Sequence, residues 1–289
     1  MRIYVTGASG FVGGHVARAL REQGAGVRED WVDLLDSDRL RRAVNGCDAV
    51  VHVAALYSFT APERELEAVN VEGTRNVIDA CRAAAVTRLV HTSTCATCGP
   101  VPGRQATEED EPPAWELAVP YKRTKVEAER MALGSGAVCV NPTTPVGEGD
   151  TRPTPTGAMI RGVATGRYRA YPRIGVNLVD VRDVARGHVL ALEHGRAGHR
   201  YLLGGVDLTL REVFAAVADL AGRRRPRISV PHAAVRAGAA LGLVNRYEAV
   251  LARTPAYFSS AKAERELGYR PGPVEPALAR AVREALSAS

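Results

Sequence analysis

The opening segment, Met1 to His15 (MRIYVTGASGFVGGH), limits what this chain can become. Ile3, Tyr4 and Val5 form a β-prone apolar run that halts at Thr6-Gly7. From Val12 the apolar side chains return at helical spacing, through Val16 and Leu20. Strand, glycine turn and helix follow one another directly. Gly7 can take the tight bend, Gly10 leaves bare backbone for a pyrophosphate to lie against, and Gly13 lets the helix pack close on the strand. The free N–H groups and positive end of that helix then face the phosphates, which makes the segment a candidate dinucleotide site. Such a turn can also serve only as a turn. Its position after the first strand favours the nucleotide reading.

The same alternation continues. A first helix is expected over 12–23, followed by a stretch, 27–33, without room for two full strands and a connection. Helix signals occupy 37–45, 69–85 and 121–133, and apolar strands 49–53, 88–92 and 137–140. Pro-rich, acidic sequence over 100–120 reads as a loop. The pattern predicts an α/β fold with a Rossmann-type doubly wound parallel sheet, shortened around its second strand. Beyond Thr143 the sequence turns rich in Pro, Gly and Thr. A short helix over 158–165, a strand-then-helix unit over 179–193 with Asp183 as its N-cap, a strand over 200–203 and three further helical stretches are expected. Residues 1–142 therefore read as the dinucleotide-binding domain and 143–289 mainly as a smaller, interleaved substrate lobe, with 176–205 returning to the first. Ligands of such sheets lie at the carboxyl ends of the strands. Those ends carry Thr6-Gly7, Asp33, Ala54-Ala55, Ser93-Thr94 and Asn141-Pro142.

Composition excludes several classes. The five cysteines (Cys47, Cys81, Cys95, Cys98, Cys139) are odd in number and scattered, which argues against a disulfide framework. Cys95 and Cys98 form a CxxC without a second Cys or His pair at ligand spacing, so no metal is expected and both read as small apolar fillers. The net charge of +6 includes the run Arg223, Arg224, Arg225 and Arg227. No aromatic platform or binding motif accompanies that run, so it reads as a solvated loop and no nucleic-acid partner is expected. No apolar stretch of about 18 residues is present, so neither a membrane span nor a signal peptide is expected. A cytoplasmic location is the default.

Tyr121 and Lys125 stand four apart at the start of a helical segment and project from one face. A free tyrosine holds its proton to a pKa of about 10, and a neighbouring ammonium favours the phenolate. The pair is thus a candidate acid/base unit. YxxxK alone is weak; Ser93-Thr94 at the end of the preceding strand supply a hydroxyl that could hold a substrate carbonyl while Tyr121 passes the proton.

Taken together, TGASGFVGGHV, CDAVVHVAA, NVEGTRNVIDAC, HTSTCATCG, YKRTKVEAE, NPTTPVGEGD and FSSAKAERELGYRP resemble the extended short-chain dehydrogenase/reductases, the NAD-dependent epimerase/dehydratase family. That branch contains nucleotide-sugar epimerases, dehydratases and dihydroflavonol-type reductases. VNPTTPVGEGDTRPTPTG and YLLGGVDLTLREV are most similar to the hopanoid-associated sugar epimerase group. The resemblance implies that Gly7, Ser9, Gly10, Phe11, Val12 and Gly13 hold the pyrophosphate and that Asp33 and Leu34 lie beside the adenine. It further implies that Ala54, Ala55, Asn70, Thr92, Ser93 and Pro142 line the cofactor cleft, with Tyr121 and Lys125 also touching cofactor. Tyr121, Lys125 and Thr94 fall on the catalytic positions, Thr94 standing where serine is usual. Lys125 is expected to lower the tyrosine pKa and orient the nicotinamide ribose.

The departure lies between Gly24 and Asp33, where the family's ribose-reading segment is shortened. Arg28 could meet a 2′-phosphate and Glu29 or Asp30 a 2′-hydroxyl, so the cofactor is NAD or NADP. The resemblance implies an NAD(P)-dependent oxidoreductase or epimerase acting on a secondary alcohol or ketone of a small molecule. A nucleotide sugar is the first expectation for that substrate. The alternatives are an NADPH-dependent ketoreductase and a non-catalytic cofactor-binding regulator. A dehydratase is disfavoured because Cys95-Ala96 follow Thr94 where sugar dehydratases place an Asp-Glu pair. Substrate choice is expected to rest on 143–171 and 244–258. Tyr57 reads equally as a substrate contact or as packing, His52 as a hydrogen-bonded core residue, and His91 as core with a smaller chance of touching cofactor. By resemblance, a homodimer through two helices is expected.

Overall fold

The computed structural model describes residues 1–243 and 245–287; Val244, which opens one segment expected to choose the substrate, lies outside the described residues, as do 288–289. The first half contains β1 (Arg2–Thr6), α1 (Phe11–Glu22), β2 (Gly26–Arg28), α2 (Ser37–Val44), β3 (Ala49–His52) and α3 (Glu63–Glu67). A π-helical turn (Ala68–Glu72) then leads into α4 (Gly73–Ala83), followed by β4 (Arg88–Thr92), α5 (Pro120–Gly134) and β5 (Val138–Pro142). Next come β6 (Thr144–Val146), α6 (Pro155–Ala164), β7 (Ala170–Pro172), β8 (Gly175–Asp180), α7 (Val181–His194), β9 (Arg200–Leu203) and β10 (Val206–Thr209). The chain ends in α8 (Leu210–Leu220), β11 (Ile228–Val230), α9 (His232–Ala240), α10 (Arg246–Leu251), α11 (Ala261–Leu267) and α12 (Glu275–Ser287).

Six strands form one parallel sheet in the order β2-β1-β3-β4-β5-β9. Side-chain alternation along β1 builds both layers around it. Ile3 and Val5 pack with Val16 and Leu20 of α1 and with Val189 and Leu192 of α7. Tyr4 faces the other way, into Leu40 and Val44 of α2 and Val77 of α4. Helices therefore cover both faces of a Rossmann-type, doubly wound sheet. The short segment before Asp33 supplies a single three-residue strand, β2, at the sheet edge. Strand order reverses between β1 and β3, which opens a crevice at their carboxyl ends.

A second body of elements surrounds a separate core. β8 pairs antiparallel with β10 and parallel with β6, and their apolar side joins Ile160 and Val163 of α6, Phe214 and Val217 of α8 and Leu278 of α12. β8 runs straight into α7. The N-cap of α7 is accordingly Asp180, whose side chain accepts from Arg182 N at 2.9 Å, and not Asp183. Asp183 lies inside the first turn, pairs with Arg186 and accepts from Gly272 N at 2.6 Å. Among the described residues five helices follow β9 where three are expected from the sequence. α9 buries only Val235, so its alanine-rich sequence carries no apolar stripe to announce it. Cys98 packs with Leu202 and Phe258. No helix among the described residues is long and apolar enough to cross a membrane.

Candidate active site

Gly7 turns the chain off β1 at φ +70°. Thr6 Oγ1 accepts from Val53 N and Ala54 N, both at 3.1 Å, and meets His52 Nδ1 at 2.8 Å. These bonds draw the end of β3 against the turn. A Cβ on Gly7 would lie 2.7 Å from Ala54 Cα, and one on Gly13 would lie 2.0 Å from Gly7 O, so α1 can begin this close to β1 only on glycine. Gly10 N donates to Gly7 O at 2.9 Å. α1 has no side-chain cap and no acidic residue in its first turn, which leaves its positive end uncompensated beside Ser9, Phe11 and Val12. The cradle fits the pyrophosphate of a dinucleotide.

Where the resemblance expects the adenosine, Asp33 is exposed and its Oδ1 accepts from Leu35 N at 3.0 Å. Leu34 is buried against Gly73, and its carbonyl accepts from Asn76 Nδ2 at 2.9 Å. Arg28 is turned to the carbonyl of Asn45 at 3.1 Å, Glu29 is paired with Arg21 at 2.6 Å, and the Asp30 carbonyl accepts from the Tyr4 hydroxyl at 3.1 Å. Asn70 is buried and spans the strand-to-helix connection: its Oδ1 accepts from Leu56 N at 2.8 Å, and its Nδ2 reaches Leu56 O and Thr124 Oγ1. It thereby fixes the segment after Ala54-Ala55 to α5.

Pro120 occupies the first helical position of α5, where its missing N–H costs nothing, and Tyr121 follows it, buried. Lys125 lies one turn deeper, and its Nζ donates to Thr92 O at 2.9 Å. The Thr94 hydroxyl accepts from Ala96 N at 3.3 Å and lies near enough to the Tyr121 phenol to favour its ionised form. Thr94, Tyr121 and Lys125 are thus brought together. Thr92 Oγ1 is paired with His188 Nε2 at 2.9 Å, and Ser93 N donates to Val140 O at 2.8 Å. The Ser93 and Thr143 hydroxyls, either side of Pro142 on neighbouring strand ends, are buried without a partner among the described residues. His52 is a hydrogen-bonded core residue, held by Thr6 and by Thr74 Oγ1 at 3.2 Å.

Burial pushes the Tyr121 phenol well above its ordinary value, the charge Tyr57 and Cys95 would carry if ionised adds to the rise, and the nearby Thr94 hydroxyl opposes it. Lys125 is not among the groups acting on it. The expectation that Lys125 lowers the tyrosine pKa is therefore corrected: the ammonium is drawn to Thr92 O, and burial lowers Lys125 itself to about 8. What results is a neutral phenol one helical turn from a buried lysine.

Aromatic side chains wall this acid. The Tyr57 ring lies 4.8 Å from that of Tyr121 and the Phe59 ring 5.9 Å away, centroid to centroid. Leu66, Val119, Tyr247 and Val250 complete an apolar cluster around it. The α10 segment is tied down by Asn245 Nδ2, which donates to Phe59 O at 3.2 Å, and by Arg253, stacked over Trp115 at 4.9 Å. Tyr57 packs on Tyr121 and is still 42% exposed, so one ring meets both the buried phenol and solvent. Sequence reasoning missed Phe59 and Tyr247 individually, along with Thr97, Glu129 and Arg200, which form a buried polar network with Asn141 behind the catalytic turn. Glu129, four residues beyond Lys125, had a findable signal in that spacing. A cavity of about 310 Å³ opens behind α5, lined in part by Glu129, Leu133, Arg200 and Lys262, and none of the expected site residues borders it.

Residues 3–204 match the model of the NAD dependent epimerase/dehydratase family. The chain belongs to that family. Its cofactor is NAD or NADP, and it is an NAD(P)-dependent oxidoreductase or epimerase of the extended short-chain dehydrogenase/reductase type. It is 36% identical, over 96% of its length and 93% of the relative's, to a Synechocystis protein that carries a dihydroflavonol 4-reductase name. Among solved structures it is similar to a nucleoside-diphosphate-sugar epimerase from Pseudomonas aeruginosa, with TM-score 0.86, 26% identity and coverage of 100% and 98% of the two chains. It is also similar to the UDP-glucose 4-epimerase of Thermus thermophilus in complex with NAD, with TM-score 0.81, 25% identity and both chains covered in full.

Proposed function

We propose that this family member is a reductase that uses NAD(P)H to convert a ketone or aldehyde on a small, largely apolar molecule into the alcohol. The observation that carries this reading is the enclosure of Tyr121 by the rings of Tyr57 and Phe59 and by Tyr247 and Val250, in which burial pushes the phenol upward. Carbonyl reduction needs a proton donor beside the carbonyl oxygen, whereas oxidation of an alcohol, the first half of an epimerase cycle, needs the phenolate. An aromatic wall desolvates an apolar substrate at little cost, and it offers few donors for a sugar ring.

In the proposed reaction the Thr94 hydroxyl holds the carbonyl oxygen and Tyr121 gives it a proton. When bound, the dinucleotide supplies the hydride that adds to the carbonyl carbon, so one carbonyl, one hydride and one proton make one alcohol. Lys125, anchored on Thr92 O one turn further along α5, is the group placed to hold the nicotinamide ribose beside Tyr121. The unpartnered Ser93 and Thr143 hydroxyls suit polar atoms of cofactor or substrate at the strand ends.

The second reading, epimerisation of a nucleotide sugar, is supported by the likeness to the Pseudomonas epimerase. Protein purified without added cofactor, then denatured, separates the two by mass spectrometry of what it releases. The reductase reading expects a protein that takes up NADPH or NADH reversibly and oxidises it when benzil, an apolar aryl diketone, is added. Tightly retained NAD together with turnover of a nucleotide sugar, and no oxidation with ketones, would refute it.

A further inference from the structure

Glu129 is a buried carboxylate that the reduction described above leaves without a task. It stands one turn beyond Lys125 on the same face of α5, and both are 2% exposed. A carboxylate removed from water must be paired and hydrogen-bonded. Glu129 Oε1 accepts from Arg200 Nη1 at 2.8 Å, and Oε2 accepts from Thr97 Oγ1 at 2.9 Å and from Asn141 Nδ2. Arg200 is anchored in turn by the carbonyls of Glu108, at 2.9 and 2.7 Å, and Asp110, at 2.9 Å. Asn141 Nδ2 and Thr97 Oγ1 also reach the Thr94 carbonyl, at 3.1 and 2.9 Å. One carboxylate thus connects the back of the catalytic helix to the turn that presents Thr94.

The titratable groups that face Lys125 from the sheet are His52 on β3, His91 on β4 and Cys139 on β5. Burial lowers both histidines, His52 to about 3, and raises the Cys139 thiol, so all three are uncharged at neutral pH. On α5 itself, Tyr121 is also neutral. That leaves Glu129, shared with Arg200, as the anionic neighbour that favours the ammonium.

We propose that Glu129 is a positioning residue for the acid–base pair: it keeps Lys125 an ammonium and, through Asn141 and Thr97, holds the Thr94 turn in place. The proposal rests on the reading that Thr94, Tyr121 and Lys125 carry the reduction. Its test does not need a substrate. The chain has three lysines, Lys122, Lys125 and Lys262, so protein labelled with [¹³Cε]lysine gives three NMR signals, and Lys125→Met assigns the one of interest. Glu129→Gln is expected to lower the Lys125 titration midpoint from about 8 by roughly one unit, while the Lys122 and Lys262 signals stay where they are. Glu129→Asp, which keeps the charge on a shorter arm, is expected to move it less than half as far. An unmoved Lys125 midpoint in Glu129→Gln overturns the proposal. Should that variant fail to fold, an Asp variant that displaces Lys262 as much as Lys125 does the same, because it reports general loosening. With benzil as probe, Glu129→Gln is further expected to shift the alkaline fall of kcat to lower pH by the same interval, with KM changed less than about twofold. A shifted midpoint in a protein that reduces no carbonyl would retain the coupling and refute the reductase reading, so the two failures are distinguishable.

Discussion

The two ends of the cleft are built by opposite means. At the β1–α1 turn the ligand surface is backbone: Gly7, Gly10 and Gly13 contribute no side chains, and the spacing leaves no room for a methyl group, 2.0 Å separating a Cβ on Gly13 from Gly7 O. At the Tyr121 end the surface is side chain, assembled from the segment after β3 (Tyr57, Phe59), α3 (Leu66) and α10 (Tyr247, Val250). Backbone recognition suits a ligand common to a whole family, because a pyrophosphate needs only N–H groups and a dipole. Side-chain recognition can change one residue at a time while the turn stays fixed. The difference explains how a shared cofactor and divergent substrates can sit on one fold.

The sharpest way to separate the ends is to disable one and watch the other. Tyr121→Phe removes the proton donor and keeps the ring that packs on Tyr57, so kcat with benzil is expected to fall by about 10³-fold while dinucleotide affinity, read by fluorescence titration, changes little. Equal loss of both would mean that Tyr121 acts in binding. Gly13→Ala attacks the other end: overpacking against Gly7 should cost roughly 1–3 kcal/mol in urea unfolding and weaken dinucleotide binding by ~10–100-fold. A variant that binds NADPH as tightly as the parent would show that the phosphates do not lie on this turn.

How far each end was legible in the sequence follows from the same contrast. The turn is contiguous, and each glycine occurs at a position fixed by its neighbours, so strand, bend and helix could be read from Ile3 to Leu20. Tyr121 and Lys125 were legible as a pair because four residues on one helix face settle their adjacency. Tyr57 could not be resolved between packing and substrate, and Tyr247 was only part of a segment, because no local rule specifies which residues distant in the chain meet around Tyr121. The same holds for Arg200, 71 residues from the Glu129 it pairs with. α9 escaped for want of a buried stripe, and Asp183 was mistaken for a cap because an aspartate near a helix start looks alike whether its carboxylate meets the helix N–H groups or, as here, Gly272 N.

Protonation offers an intermediate effect. Lys125 is held down at about 8 by burial, and its ammonium form is the useful one, so kcat should be level below that pH and fall toward tenfold per unit above it. Tyr121, pushed upward, remains an acid throughout the range and adds no second limb. Stability should move the other way. Between about 8 and the unfolded value of about 10.4, the unfolded chain holds a proton that folded Lys125 has released, so this group's contribution to unfolding free energy rises with pH. Urea unfolding of the parent and of Lys125→Met across that window isolates the contribution; a difference that does not change with pH would mean Lys125 is not depressed.

The smallest effect belongs to the aromatic wall, and it decides what kind of substrate the cleft takes. Tyr57→Ala removes a ring that lies against Tyr121 and is partly open to solvent, and it keeps Thr94 and Lys125 in the sequence. If the wall binds an apolar group, its loss should raise KM for benzil by about tenfold, in keeping with ~1–2 kcal/mol for one aromatic contact, and lower kcat by less. A small hydrophilic ketone such as dihydroxyacetone should show no such penalty, since it gains little from the ring. Tyr57→Phe carries the discrimination further, because it keeps the apolar face that packs on Tyr121 and deletes only the hydroxyl. It should bind benzil as well as the parent, leaving KM unchanged. A rise in KM as large for Phe as for Ala would assign the contact to the hydroxyl, and the wall would then be polar recognition of the kind a sugar requires.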